Sequence, residues 1–127
     1  MPSLVISHGA AIGDHYKLTE PLTSLGRDDT CTIQILDEQV SRKHLQLRFD
    51  PITKVHYAGD YRSANGVFVN EKQLLTDVAL NDGDRIRIGG TNLIYFTADF
   101  PDKAAATAAV KKAGEWAKDT ITNSRTR

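Results

Sequence analysis

At 127 residues the chain suits one domain, and a second compact core would be hard to fit. Its 16 basic and 16 acidic residues give a formal net charge of zero, which argues against bulk attraction to nucleic acid or to an anionic membrane surface. No segment is apolar over enough length to cross a bilayer, "MPSLVISHGA" lacks the basic start and apolar centre of a secretory leader, and the single cysteine, Cys31, cannot build a disulfide framework or a metal cluster alone. No membrane insertion is therefore expected, and the expected location is cytoplasmic.

In chain order, "SLVISH", "HYKL", "LTSLGR", "TIQIL", "HLQLRFD", "VHYAG", "GVFVN", "DVAL", "DRIRIG" and "NLIYFTA" read as short strands. They are rich in Val, Ile, Tyr and Phe, which suit a pleated, half-buried surface. The clusters "HGAAIGD", "DPITK", "YRSANG" and "NDGD" separate them with turn-forming residues. About ten short strands at this spacing predict an all-β sandwich or barrel. Within "DEQVSRKHLQLRFD", alternation from His44 onward sends Leu45, Leu47 and Phe49 to one face and His44, Gln46 and Arg48 to the other, a strand entered through a charged loop.

After "DFPDK" the texture changes. "AAATAAVKKAGEWAKDTI" is rich in the helix formers Ala and Lys, and Asp102 is placed to cap its start. Ala106, Val110, Ala113, Ala117 and Ile121 form one stripe at helical spacing, flanked by Trp116, with Lys111, Lys112, Glu115 and Lys118 mostly away from it. The helix is expected to cover the sandwich or to meet a partner, and "TNSRTR" to fray. From Lys103 onward there are six basic and two acidic residues, a modest basic tail. Trp116 is the one aromatic among them, not a series of stacking platforms, so no nucleic-acid partner is expected. The division is residues 1–100 for the sandwich and 101–127 for helix and tail.

Three loops carry the polar chemistry: "LGRDDTCT", "EQVSRKH" and "DYRSANGVFVN". In a sandwich, alternate loops gather at one end. Arg27 follows Gly26, which permits a turn or a close backbone approach. Arginine offers a rigid fork of donors suited to phosphate oxygens, Ser41 a hydroxyl, and Asn65 both donors and an acceptor. Together they would make a pocket for a phosphate carried on a peptide.

The order and spacing of Gly-Arg in "LGRDDTCTIQILDEQVSRKHLQLRFDP", of Ser-Arg-x-His within it, and of Asn-Gly-x-Phe-Val-Asn in "SANGVFVN", followed by "LNDGDRIRIGG", resemble the forkhead-associated (FHA) domain over roughly residues 3–98. The resemblance implies a β-sandwich of about eleven strands, here with a C-terminal α-helix, and recognition of phosphothreonine in partner proteins. It implies that Arg27 and Ser41 contact the phosphate and that Arg42 adds a contact to phosphate or peptide backbone. Gly26 would shape the first loop, His44 hold the serine loop by hydrogen bonding, Asn65 bond the peptide backbone, Gly66 allow a turn, and Asn70 brace loops. Ala64 stands where many relatives carry a hydroxyl that also touches phosphate, which puts Ser63 forward as a substitute. Val67 and Glu71 replace the usual Thr and Gly. Gln39 and the stretch 60–63 lie where the family sets its preference for flanking residues.

The expected function is a phosphothreonine-dependent protein–protein interaction module in Ser/Thr kinase signalling, of bacterial type. Its expected partners are a phosphothreonine-containing protein or peptide and a Ser/Thr protein kinase or its substrate. The rival is an FHA-like interaction domain that ignores phosphate. A hydrolase built on Ser41 and His44 lacks an evident oxyanion donor and an acid to orient the histidine. His8, His15, His44 and His56 lack metal-ligand spacing. No catalytic residue, metal or cofactor is expected.

Overall fold

The computed structural model describes residues 2–9 and 11–113. All ten predicted runs contain a strand, and there is an eleventh. The strands are β1 (Ser3–His8), β2 (His15–Lys17), β3 (Leu22–Gly26), β4 (Ile33–Gln34), β5 (Leu45–Asp50), β6 (Val55–Asp60), β7 (Val67–Val69), β8 (Lys72–Gln73), β9 (Val78–Ala79), β10 (Arg85–Ile88) and β11 (Thr91–Phe96). They form a six-stranded sheet ordered β2-β1-β11-β10-β7-β8 and a five-stranded sheet ordered β4-β3-β5-β6-β9. Among the described residues only β3–β4 is parallel; the other pairings are antiparallel.

The core lies between the sheets. Leu4, Ile6, Ile86, Ile88, Leu93 and Tyr95 from one sheet meet Leu25, Ile33, Leu45, Leu47 and Ala58 from the other. Leu18 and Ile35 fill the same core from just outside the ladders. Val5 and Ile94 are also buried, although they are paired with each other and point to the opposite face of their sheet. A helix, α1 (residues 103–113), lies over that face and buries Ala106 completely. The Asp102 carboxylate accepts from the Ala105 amide at 2.8 Å, capping the first turn as its sequence position predicts. Arg85 donates from Nη2 to the Ala113 carbonyl at 2.9 Å, tying the last described turn to β10. Lys111 and Lys112 are exposed, as the stripe requires. Gly114, Glu115, Trp116, Ala117, Lys118, Ile121 and "TNSRTR" lie outside the described residues.

Strand β8 escaped the sequence reading because both its residues are polar and exposed. It is set by the turn before it. Val69 pairs with Lys72, so Asn70 and Glu71 form a two-residue hairpin loop, and both have positive φ, 50° and 72°. That is the type I′ arrangement, for which Asn-Gly is the favoured sequence. Asn70 fits, and its side chain accepts from the Arg85 amide and donates to Asp84, both at 3.0 Å. Glu71 does not fit, because a side chain in the left-handed region strains the backbone. Glu71→Gly should therefore raise stability by about 0.5–1 kcal/mol, read as a shifted denaturation midpoint at unchanged slope.

His56 on β6 is 1% exposed at the end of the sandwich away from the charged loops. Its Nδ1 shares a hydrogen bond with the Tyr95 hydroxyl at 2.9 Å, while Nε2 has no partner among the described residues. Phe49 and Tyr95 flank the ring. Burial holds the imidazole below its ordinary value of 6.5. Above that pH the folded and unfolded chains both carry it neutral and it adds no pH dependence. As pH falls below about 6.5 only the unfolded chain takes up the proton, so stability should fall, by at most ~1.4 kcal/mol per pH unit. Denaturation at pH 7.5 and 5.5 checks this: the loss on acidification should be smaller in His56→Gln than in the parent.

Candidate functional site

The β3–β4, β4–β5 and β6–β7 loops meet at one end of the sandwich. The first two run backbone to backbone. The Arg27 amide donates to the Ser41 carbonyl at 3.0 Å, the Asp28 amide to the Arg42 carbonyl at 3.1 Å, and the His44 amide to the Leu25 carbonyl at 2.9 Å. The Cys31 thiol also donates to the Arg42 carbonyl, at 3.2 Å. This approach explains Gly26: a Cβ there would collide with the Arg42 carbonyl oxygen and press on Cys31 Sγ. Glycine at this position is a demand of loop stacking, where the sequence showed only a permissive residue before an arginine.

His44 ties all three loops together. It is fully buried, and Nδ1 accepts from the Ser41 amide at 2.9 Å. Nδ1 is thus the acceptor nitrogen, so the proton sits on Nε2, which donates to the Gly66 carbonyl at 2.7 Å. Both ring nitrogens are committed to backbone, and neither is available to Ser41 Oγ as a base. The alternation that put His44 on the polar face with Gln46 and Arg48 does not hold: β5 begins at Leu45, and His44 turns into the stacked loops instead.

The other polar groups are half-engaged. Arg27 is exposed, and its Nε donates to the Val40 carbonyl at 3.0 Å. That bond fixes the guanidinium plane, while among the described residues its two terminal nitrogens have no partner. Ser41 Oγ accepts from the Ala64 amide at 3.0 Å and keeps its own proton to give. Asn65 is exposed and donates from Nδ2 to the Gln39 carbonyl at 2.8 Å, and its Oδ1 has no partner among the described residues. Ser63 Oγ accepts from the Gly66 amide at 2.9 Å, closing the β6–β7 turn, and Gly66 has φ +83°. Arg42 is exposed and pairs with Asp28 at 3.6 Å. The Asp28 carboxyl is held below its usual range, first by the Thr30 amide and last by Arg42.

Gly26, Arg27, Ser41, Arg42, His44, Ser63, Asn65 and Gly66 therefore come together. Asn70 does not join them; it lies at the other end of β7, bracing the β7–β8 turn against β10. One organising residue was missed. Asp37 accepts from the Gln39 amide at 2.9 Å, and from the Gly90 amide and Thr91 hydroxyl at 2.9 and 2.8 Å, pinning the β4–β5 loop to the β10–β11 turn. Burial pushes its carboxyl up, but these three donors outweigh that and hold it below the usual range. The short-range half, Asp-x-Gln at a turn, was visible in sequence; the bonds to Gly90 and Thr91 were not.

The family model described as FHA domain matches residues 23–89, which takes in all three loops. The glycogen accumulation regulator GarA of Mycolicibacterium smegmatis is 31% identical over 105 residues, 83% of this chain and 65% of that protein. The chain thus spans less than two thirds of that relative's length. A solved structure of the FhaA FHA domain complexed with the intracellular domain of Rv3910 superposes with a TM-score of 0.67 at 32% identity, covering 75% of this chain and 99% of that one. Another, from a study of phosphothreonine-dependent FHA domain interactions, gives 0.69 at 30% identity, covering 78% and 98%. The stacked Gly-Arg and Ser-Arg-x-His loops, the two-sheet topology and the family match agree: this chain belongs to the FHA-domain family.

Proposed function

We propose that the chain is a phosphothreonine-dependent protein-interaction module of Ser/Thr kinase signalling, and that its activity is binding alone. The observation that carries this reading is the set of unspent donors on loops locked from below by His44. Arg27 has two terminal nitrogens to give, Ser41 a hydroxyl proton, and Arg42 a guanidinium held among the described residues only by a long pair to Asp28. Arginine forks and hydroxyls match a phosphate dianion without chemical change to it. Asn65 Oδ1 would accept from a peptide amide next to the phosphothreonine. Ser63 has its oxygen occupied by the Gly66 amide but keeps a proton for the contact that Ala64 lacks. Gly26, His44 and Gly66 act through the loops they hold. The solved structures of phosphothreonine-dependent FHA domain interactions, and of the FhaA FHA domain with an intracellular domain, support a phosphorylated protein as the partner, a Ser/Thr kinase or its substrate on this reading. The buried free thiol of Cys31 against the Arg42 carbonyl suits a reducing, cytoplasmic setting.

Calorimetric titration with a phosphothreonine peptide, its unphosphorylated twin and its phosphoserine analogue tests this. Phosphothreonine should bind and the unphosphorylated twin should not. Phosphoserine should be weaker by several-fold to about a hundredfold, since one buried methyl is worth ~0.8 kcal/mol and shaped pockets reach ~1–3. Equal binding of the phosphorylated and unphosphorylated twins would instead make this a phosphate-independent interaction domain.

A further inference from the structure

More positive charge surrounds the site than one phosphate uses. The Tyr61 amide donates to the His44 carbonyl at 3.0 Å, extending the β5–β6 ladder by one residue beyond Leu45↔Asp60. The next residues along, Lys43 and Arg62, are therefore carried onto the same rim, and both are exposed. Like charges brought onto one rim repel. Neither makes an ion pair among the described residues. The nearest acid in sequence does not answer Arg62, because Asp60 turns its carboxylate to the Ser63 amide at 2.9 Å. Arg62 also sits at φ 57°, a conformation L side chains rarely adopt. Two bonds hold it there, Ser63 amide to Asp60 and Gly66 amide to Ser63 Oγ. The loop thus holds an exposed cation on a strained backbone, without an ion pair among the described residues, on the rim that also carries Lys43 and beside the Arg27 and Arg42 proposed for the phosphate.

We propose that Lys43 and Arg62 form a second anion-binding point, so that the preferred ligand is a peptide bearing a further phosphate or carboxylate close to its phosphothreonine. The reach is short. Lys43 lies two residues past Ser41, at most ~7 Å of chain, which an extended peptide covers in about two residues. This inference rests on the phosphothreonine reading above.

The test uses three matched phosphothreonine peptides: one with uncharged flanks, one with Glu one or two residues away on either side, and one with a second phosphothreonine there. Each is titrated against the parent and a Lys43→Gln, Arg62→Gly double variant, whose glycine accepts the positive φ and whose melt confirms the fold. The second anion should tighten binding to the parent about tenfold at low salt, phosphate more than carboxylate, and less at high salt. The double variant should bind the uncharged-flank peptide within about threefold of the parent and lose the gain, since only a group that meets the second anion can carry the coupling. Equal affinity of all three peptides for the parent, or a gain kept intact in the variant, overturns the proposal. Failure of the parent to bind even the uncharged-flank peptide would be a different result: it removes the phosphothreonine reading itself, and this inference with it.

Discussion

His44→Ala should lower stability by about 3 kcal/mol or more and weaken phosphopeptide binding at the same time. Two backbone groups lose their partner at once, the Ser41 amide and the Gly66 carbonyl, and each orphaned buried group costs about 1–3 kcal/mol. The removed ring also leaves a void in a fully buried position, which adds to the loss. Domains of this size have only about 5–15 kcal/mol to lose, so the variant should still fold but melt ~10 °C or more below the parent. Binding should fall because the backbone at Ser41 and at Gly66, next to Asn65, loses the ring that sets the two loops against each other. A thermal melt paired with a peptide titration decides the matter. A normal melt with lost affinity would place His44 in contact with ligand, against the geometry described above.

Arg27→Ala should give the opposite pattern: affinity lost, fold kept. The side chain is exposed, and its one bond among the described residues is from Nε to the Val40 carbonyl. Truncation should therefore change stability by less than about 1 kcal/mol. Charge-assisted hydrogen bonds are worth about 1.5–3 kcal/mol each, so the loss of one or two should weaken binding at least about tenfold and up to several hundredfold. Calorimetry on a variant with a normal melt is the measurement. Unchanged affinity would move the phosphate elsewhere.

The contrast between these residues shows what the sequence made legible. Most strands announced themselves as runs rich in Val, Ile, Tyr and Phe between turn residues, and Asp102 announced the helix start. Lys72 and Gln73 did not, because an exposed polar pair carries no burial signal, and the turn that creates β8 contains a glutamate where a glycine would have marked it. At the site, the motif order picked out Arg27, Ser41 and Asn65, since those types state their chemistry directly. What Gly26 and His44 do depends on neighbours 16 and 22 residues away, Arg42 and Gly66, and no local pattern encodes such a distance. Asp37 shows the limit most plainly, bonded to Gly90 and Thr91 more than 50 residues on.

The four outermost strands, β2, β8, β4 and β9, are three, two, two and two residues long. A strand that short offers a neighbouring chain almost no free backbone to copy. Edge-to-edge polymerisation is thereby suppressed, and so is capture of a partner by adding a strand to the sheet, the route that many peptide-recognition domains take. Selectivity is left to the loops, which can be altered without exposing a sticky border.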